Sequence, residues 1–229
     1  MKTDMANVGV LGVGWADELA GGGVRRSVRS PGLAALRAAG GRGGPFAYPV
    51  RNFPRFDAVS RLTCMACALA LQDAELGYAE GVKMDVGLLG TNAAGALEAN
   101  RSYFTDYVQA GRKLGRGSLF IYTLPSSPLA EAAIHFGLQG PVLYIGSSGE
   151  ATAAILRTAA DMVGSGEAGG MLAVRAGAGD AICFALGRAE TPGRRAWAPE
   201  AIARLAAADG KAGDLAAAIA RGADGGAVT

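Results

Sequence analysis

The sequence predicts an α/β fold, a mainly parallel sheet covered by helices on both faces. Three observations carry this. Short apolar runs recur at residues 8–13, 86–90 and 142–145, each ended by glycine or proline nearby, as buried strands are. Helical segments separate them, and two further strand-like runs follow at 171–174 and 181–186. Strands alternating with helices of these lengths imply right-handed crossovers and parallel pairing.

Val8-Gly-Val-Leu-Gly-Val13 reads as the first strand, left by a loop over residues 15–23. Residues 21–50 are rich in Gly, Arg, Ala and Pro and show no stable period beyond a short helix over 31–39, so an irregular connection is expected. Ser60 caps the clearest helix, in which Leu62, Met65, Ala66, Leu69, Ala70 and Leu76 share one stripe until Gly77 ends it. After the strand at 86–90, residues 95–110 carry helical signals. Pro125 and Pro128 mark a turn into a helix through Leu129, Ala132, Ala133 and Phe136, closed by Gly137. A third strand follows Gly140-Pro141, then an Ala-rich helix over 150–163. Beyond Pro192 the character changes to an Ala-rich helical or partly disordered tail, in which 199–208 and 211–221 read as short helices and the final residues as frayed. The expected division is therefore 1–190 as the folded domain and 191–229 as the tail.

Half the residues are apolar, 18% are charged and 36 are glycines, a mixture that suits close packing more than a solvated coil. The net charge of +2 gives no field that would recruit nucleic acid or a membrane surface. Basic clusters occur at Arg25, Arg26 and Arg29 and at Arg112, Lys113 and Arg116. They read first as solvated loops and second as a surface for an acidic partner. Three cysteines cannot make a disulfide framework, and Cys64-Met-Ala-Cys67 lies inside an apolar helical run, where core packing outweighs redox or metal chemistry. No secretory leader and no apolar run of ~20 residues is present, so a soluble, cytoplasmic chain without metal or cofactor is expected.

Three stretches in order resemble a β-ketoacyl synthase of the thiolase superfamily. Asp85-Val-Gly-Leu-Leu-Gly90 followed by Gly95-Ala-Leu-Glu98 is similar to the family's second strand and the "G-G-L-E" that opens its next helix. Leu124-Pro-Ser-Ser-Pro-Leu-Ala-Glu-Ala-Ala-Ile-His-Phe-Gly-Leu-Gln-Gly-Pro141 is close to the family's "L-P-N-x-x-x-x-x-x-x-I-x-x-G-L-x-G-P". The strand and helix after Pro141 occupy the place of the family's nucleophile. The resemblance covers residues 6–188 and implies the first half of the duplicated thiolase fold, a five-stranded sheet with helices on both sides. The second half is expected to be absent, since the roughly 40 remaining residues are Ala-rich and offer no second set of strands.

The resemblance also implies a thiolate at the start of a buried helix and two histidines from the second half. In the family's "G-P-x-x-x-V-x-T-A-C" the cysteine stands eight residues after the proline, and the same count from Pro141 reaches Gly149. Glycine cannot attack a thioester. The single histidine, His135, reads as a surface or helix-end side chain. Ser147 and Ser148 read as helix N-cap and turn residues, because Gly146-Ser-Ser-Gly149 is followed by Glu150 where a nucleophile elbow needs glycine. Glu150 in the first helical turn suits the helix dipole. Gly9-x-x-Gly12-x-Gly14 lacks the spacing of a dinucleotide fingerprint.

Ser147, Ser148, Gly149 and Glu150 are therefore the candidate lining of a site with no catalytic residue. The expected function is an inactive, chain-length-factor-like subunit in fatty-acid or polyketide-type synthesis. It would dimerise, with itself or with a ketosynthase, through Val142, Leu143, Tyr144 and Ile145 at an otherwise unpaired edge. Two other readings stand beside it: a residual acyl-thioester transferase, and a binding module for acyl carrier protein that uses Arg112, Lys113 and Arg116.

Overall fold

The computed structural model describes residues 8–113, 115–146, 150–189, 196–206 and 210–224. In chain order the elements are β1 (Val8–Asp17), β2 (Ala20–Gly23), β3 (Arg29–Pro31), α1 (Leu33–Ala38), α2 (Ala58–Asp73), β4 (Val86–Thr91), α3 (Leu97–Gln109), α4 (Gly117–Phe120), α5 (Ser127–Phe136), β5 (Val142–Tyr144), α6 (Ala151–Ser165), β6 (Gly170–Ala176), β7 (Asp180–Arg188), α7 (Pro199–Ala206) and α8 (Ala212–Asp224). All seven strands join one sheet in the order β3-β2-β1-β7-β6-β4-β5.

Side chains that alternate along a strand reach opposite faces, and here each face has its own core. Leu172 and Val174 of β6 point to one face and pack with Leu62, Met65 and Leu69 of α2 and Phe136 of α5. Met171 and Ala173 of the same strand point to the other face and pack with Ile155 and Leu156 of α6, Ile202 of α7 and Leu215 of α8. The α/β class with helices on both faces thus holds. Both C-terminal helices are part of the second core.

The sheet differs from expectation in composition and direction. Strands β1, β4, β5 and β6 run one way, but β7 is antiparallel to both its neighbours. Only residues 177–179 separate β6 from β7, too few for a parallel crossover, so the pair closes as a hairpin. The second difference is an outer hairpin. Residues 15–23, expected as a loop, continue β1 and form β2, which β3 then extends. Asp17 turns the chain by accepting the amides of Leu19 (2.7 Å) and Ala20 (2.8 Å). Strand β2 is Ala-Gly-Gly-Gly, which has no β-branched pattern to read.

Helix α2 is the spine of the first face and is buried on almost every side. Asp57, not Ser60, caps it: the Asp57 carboxylate accepts the Ser60 amide at 2.8 Å, and Ser60 itself is buried. Glycine lets this helix lie against β1. A Cβ on Gly14 would come within 2.2 Å of the Ala70 nitrogen, and one on Gly12 within 2.4 Å of the Ala74 nitrogen. The glycines of the Gly9-x-x-Gly12-x-Gly14 run therefore serve packing. At the end of α2, the fully buried Asp73 accepts the Val13 amide of β1 (2.8 Å) and the Arg26 amide of the outer hairpin (2.9 Å). No helix among the described residues is long and apolar enough to cross a membrane.

Candidate functional site

After β4 the chain crosses the α2 face through α5, and after β5 it crosses the opposite face through α6. Connections that leave neighbouring strands on opposite sides open a crevice at the strands' C-terminal ends, where open α/β sheets hold ligands. Asn92 shapes this mouth. Its side chain donates to the Gly95 carbonyl (2.9 Å) and accepts the Ala94 amide (3.0 Å), while the Tyr144 hydroxyl donates to the Asn92 carbonyl (2.9 Å). A small cleft of about 40 Å³ beside it is lined by Asp57, Asn92, Gly95, Tyr122, Pro125 and Ala178, with room for one or two waters. Burial, reinforced by Glu131, pushes the Tyr122 hydroxyl well above the usual phenol range.

The bend that leads into α6 begins where the Ile145 amide donates to the Gly90 carbonyl (2.8 Å). Ser147, Ser148 and Gly149 lie outside the described residues, so their expected roles are not placed. Glu150 is described: it is the N-cap of α6 rather than a first-turn residue, with the left-handed φ of 41°. Its carboxylate makes no cap hydrogen bond and lies 3.8 Å from Arg157, both side chains being exposed.

Two residues that the sequence reading missed stand beside this bend. Thr91 ends β4 and pairs in register with Arg175 of β6. Both follow the parity of Leu89 and Ala173, which face α6. Thr91 is 3% exposed and its hydroxyl has no hydrogen-bond partner among the described residues; the buried Nε of Arg175 has none there either. One terminal nitrogen of Arg175 donates to the Gly210 carbonyl (3.0 Å). A lone arginine closing the apolar run 171–174 was the available signal.

The thiols and the imidazole are elsewhere. Cys64 and Cys67 on α2 and Cys183 on β7 all belong to the core of the α2 face, across the sheet from α6. Burial pushes the Cys64 thiol well up; the Cys183 contact and burial do the same for Cys67, so neither is poised as a nucleophile. His135 does lie in the last turn of α5, but its ring is half-buried among aromatic side chains. Tyr48 (4.5 Å between centroids), Phe136 (4.7 Å) and Phe46 (5.6 Å) surround it, and the Tyr48 hydroxyl donates to its carbonyl. Burial lowers its pKa to about 4, which holds the ring neutral. No group of three His, Cys, Asp or Glu among the described residues could hold a metal ion.

The outer surface carries two further features. Strand β5 is a sheet edge. Leu88 donates to Pro141 and Ile145 to Gly90, both at 2.8 Å, so the alternate peptide groups of Val142 and Tyr144 face away from β4. Val142 (39%) and Leu143 (47%) are exposed there, and an open groove of about 440 Å³ runs alongside, lined by Leu143, Thr158, Asp161, Met162, Ser165 and Glu167. Ile145 lies just beyond the strand. Nearby in sequence, α3 buries none of its residues, and Phe104, Phe120, Ile121 and Leu124 are all exposed. Of the basic cluster, Arg112 and Lys113 are exposed, while Arg116 is held by Asp106 at 2.6 Å.

No known family model matches the chain, and no curated protein matches its sequence. Solved structures do match. The ishigamide ketosynthase/chain length factor aligns with a TM-score of 0.57 at 15% identity, over 83% of this chain and 64% of that one. A β-ketoacyl synthase from Burkholderia phymatum STM815 aligns with a TM-score of 0.56 at 15% identity, over 80% and 59%. A type II polyketide ketosynthase, in complex with its acyl carrier protein and bound to the hexaketide, aligns with a TM-score of 0.54 at 13% identity, over 80% and 58%. The chain spans about three-fifths of the length of these structures. With strand order, helix placement and these alignments in agreement, the chain has the thiolase-like fold of the β-ketoacyl synthases and chain length factors.

Proposed function

We propose that the chain is a non-catalytic, ketosynthase-like subunit that pairs through the β5 edge with a ketosynthase, or with a second copy of itself, in fatty-acid or polyketide-type synthesis. The open edge carries the reading. Unpaired peptide groups at Val142 and Tyr144, beside exposed Val142 and Leu143, are a liability for a chain that stays alone and a pairing template for one that does not. The exposed apolar side chains of α3 and of residues 120–124 extend the same kind of surface. The absence of catalysis rests on the sequence, where glycine stands at position 149, and is supported by the neutral, half-buried His135 and the buried thiols. Acyl carrier protein is the further partner, with exposed Arg112 and Lys113 suited to its acidic surface.

The test is light scattering with size exclusion on the full chain, alone and mixed with a ketosynthase encoded beside it. A stable dimer or heterodimer is the expected result; a monomer that ignores the ketosynthase at tens of micromolar sinks the reading. Intact-mass analysis after incubation with acyl-loaded carrier protein addresses the alternative of residual acyl transfer. Appearance of an acyl adduct on this chain would replace the subunit reading with the transferase one.

A further inference from the structure

We propose that Thr91 and Arg175, beneath the first turn of α6, form a binding site for a small oxyanion, a carboxylate or a phosphate group. Parallel in-register neighbours stand about 4.8 Å apart, so the two side chains rise next to each other from the sheet toward α6. The chain enters α6 from β5 and leaves it for β6, which puts the helix N-terminus at the same end of the sheet as Thr91 and Arg175. That end of a fifteen-residue helix carries partial positive charge and free amides.

The observation that calls for a ligand is unsatisfied chemistry. Among the described residues the hydroxyls of Ser60, Thr63 and Thr91 are buried without a partner, and Thr91 alone of them pairs in register with a residue whose guanidinium nitrogen is also unpartnered. Water could satisfy the Thr91 hydroxyl alone. The guanidinium changes the requirement: its Nε is also buried and unpartnered, and no carboxylate among the described residues lies within ion-pairing distance of Arg175. The nearest acid along the chain, Asp180, accepts the Ala212 amide at 2.6 Å, and Glu150 is exposed and turned toward Arg157. A fixed positive group, a hydroxyl and a helix N-terminus at one place form the donor set that recognises a planar or tetrahedral oxyanion. Two sources fit the subunit reading, on which this choice of ligands rests: the free carboxylate of a carboxyacyl group, and the phosphate of a phosphopantetheine arm.

Calorimetric titration of the full chain with malonate, acetate, inorganic phosphate and phosphopantetheine tests the site. Saturable binding by malonate or by the phosphates, with millimolar affinity, is expected. Malonate above phosphate identifies the carboxylate source, and the reverse identifies the phosphate source. Arg175→Met should weaken that binding about tenfold or more and Thr91→Val severalfold, with unchanged circular dichroism. If Arg175→Met does not fold, Arg175→Lys keeps the charge without the fork and should still weaken binding. No saturable binding by any probe, or binding that both substitutions leave untouched, overturns the proposal. Pairing with a ketosynthase, measured on Thr91→Val, separates the two ideas. Pairing without oxyanion binding removes only this site, and oxyanion binding without pairing removes only the subunit reading.

Discussion

The sheet ends in two three-residue strands, and they are opposites. Strand β3 is Arg-Ser-Pro: proline offers no amide, arginine brings charge, and Asp73 fastens the hairpin behind it to α2. Strand β5 is Val-Leu-Tyr, with neither a charge nor a proline, and its outward side chains are in solvent. One margin is protected against strand addition and the other is not. A fold that guards one edge so thoroughly shows what guarding takes, and this sets the open edge apart as a surface with a use.

The contrast can be tested from both sides. Asp73→Ala removes a buried acceptor of two amides and leaves both unsatisfied, so the chain should lose about 3 kcal/mol in urea unfolding while pairing through β5 persists. A loss below about 1 kcal/mol would mean that the guarded edge needs no such anchor. Leu143→Arg places a charge on the open edge. Association should weaken by roughly 30-fold, or about 2 kcal/mol, with the isolated chain's stability shifting by less than about 0.5 kcal/mol. Unchanged association would erase the distinction between the margins.

Acid supplies the smallest effect, through His135 of α5. His135 ends the helix that leads to β5, and its folded pKa of about 4 lies below the unfolded 6.5. The unfolded chain therefore takes up the proton first. The stabilisation is complete above pH 6.5 and is lost as pH falls from 6.5 through about 4, levelling off below. Partial exposure of the ring discounts it to on the order of 1–2 kcal/mol. Unfolding followed across this window should flatten in His135→Phe; an equal slope in that variant would assign the effect to carboxylates.

The central strands and large helices were legible because their chemistry is periodic: α2 shows its stripe, and β4, β6 and β7 are short apolar runs. The outer hairpin was hidden because β2 is made of glycine, whose strand role comes from neighbours such as Asp73 and not from its own preference. The direction of β7 is carried by residues 177–179, a connection of hairpin length. Of the site, Ser147, Ser148 and Gly149, reached by counting from Pro141, lie outside the described residues. Thr91 and Arg175 were not legible, since register between strands eighty residues apart in sequence leaves no local signature. The burial of His135 depends on Phe46 and Tyr48, which arrive from the segment expected to be irregular.

Strand β1 pairs with β7 from Val8↔Arg188 to Asp17↔Asp180, which joins the first and last strands at the middle of the sheet. On a ribosome the first strand emerges before the last and must wait, the main-chain groups on its β7 side without their neighbour, until residues 180–188 have been synthesised. The β6–β7 hairpin needs only a tight turn and can form as soon as it emerges. Assembly of the sheet thus closes from the late strands back onto the earliest one, and a nascent chain stalled before residue 180 holds an apolar β1 whose one side is still unpaired.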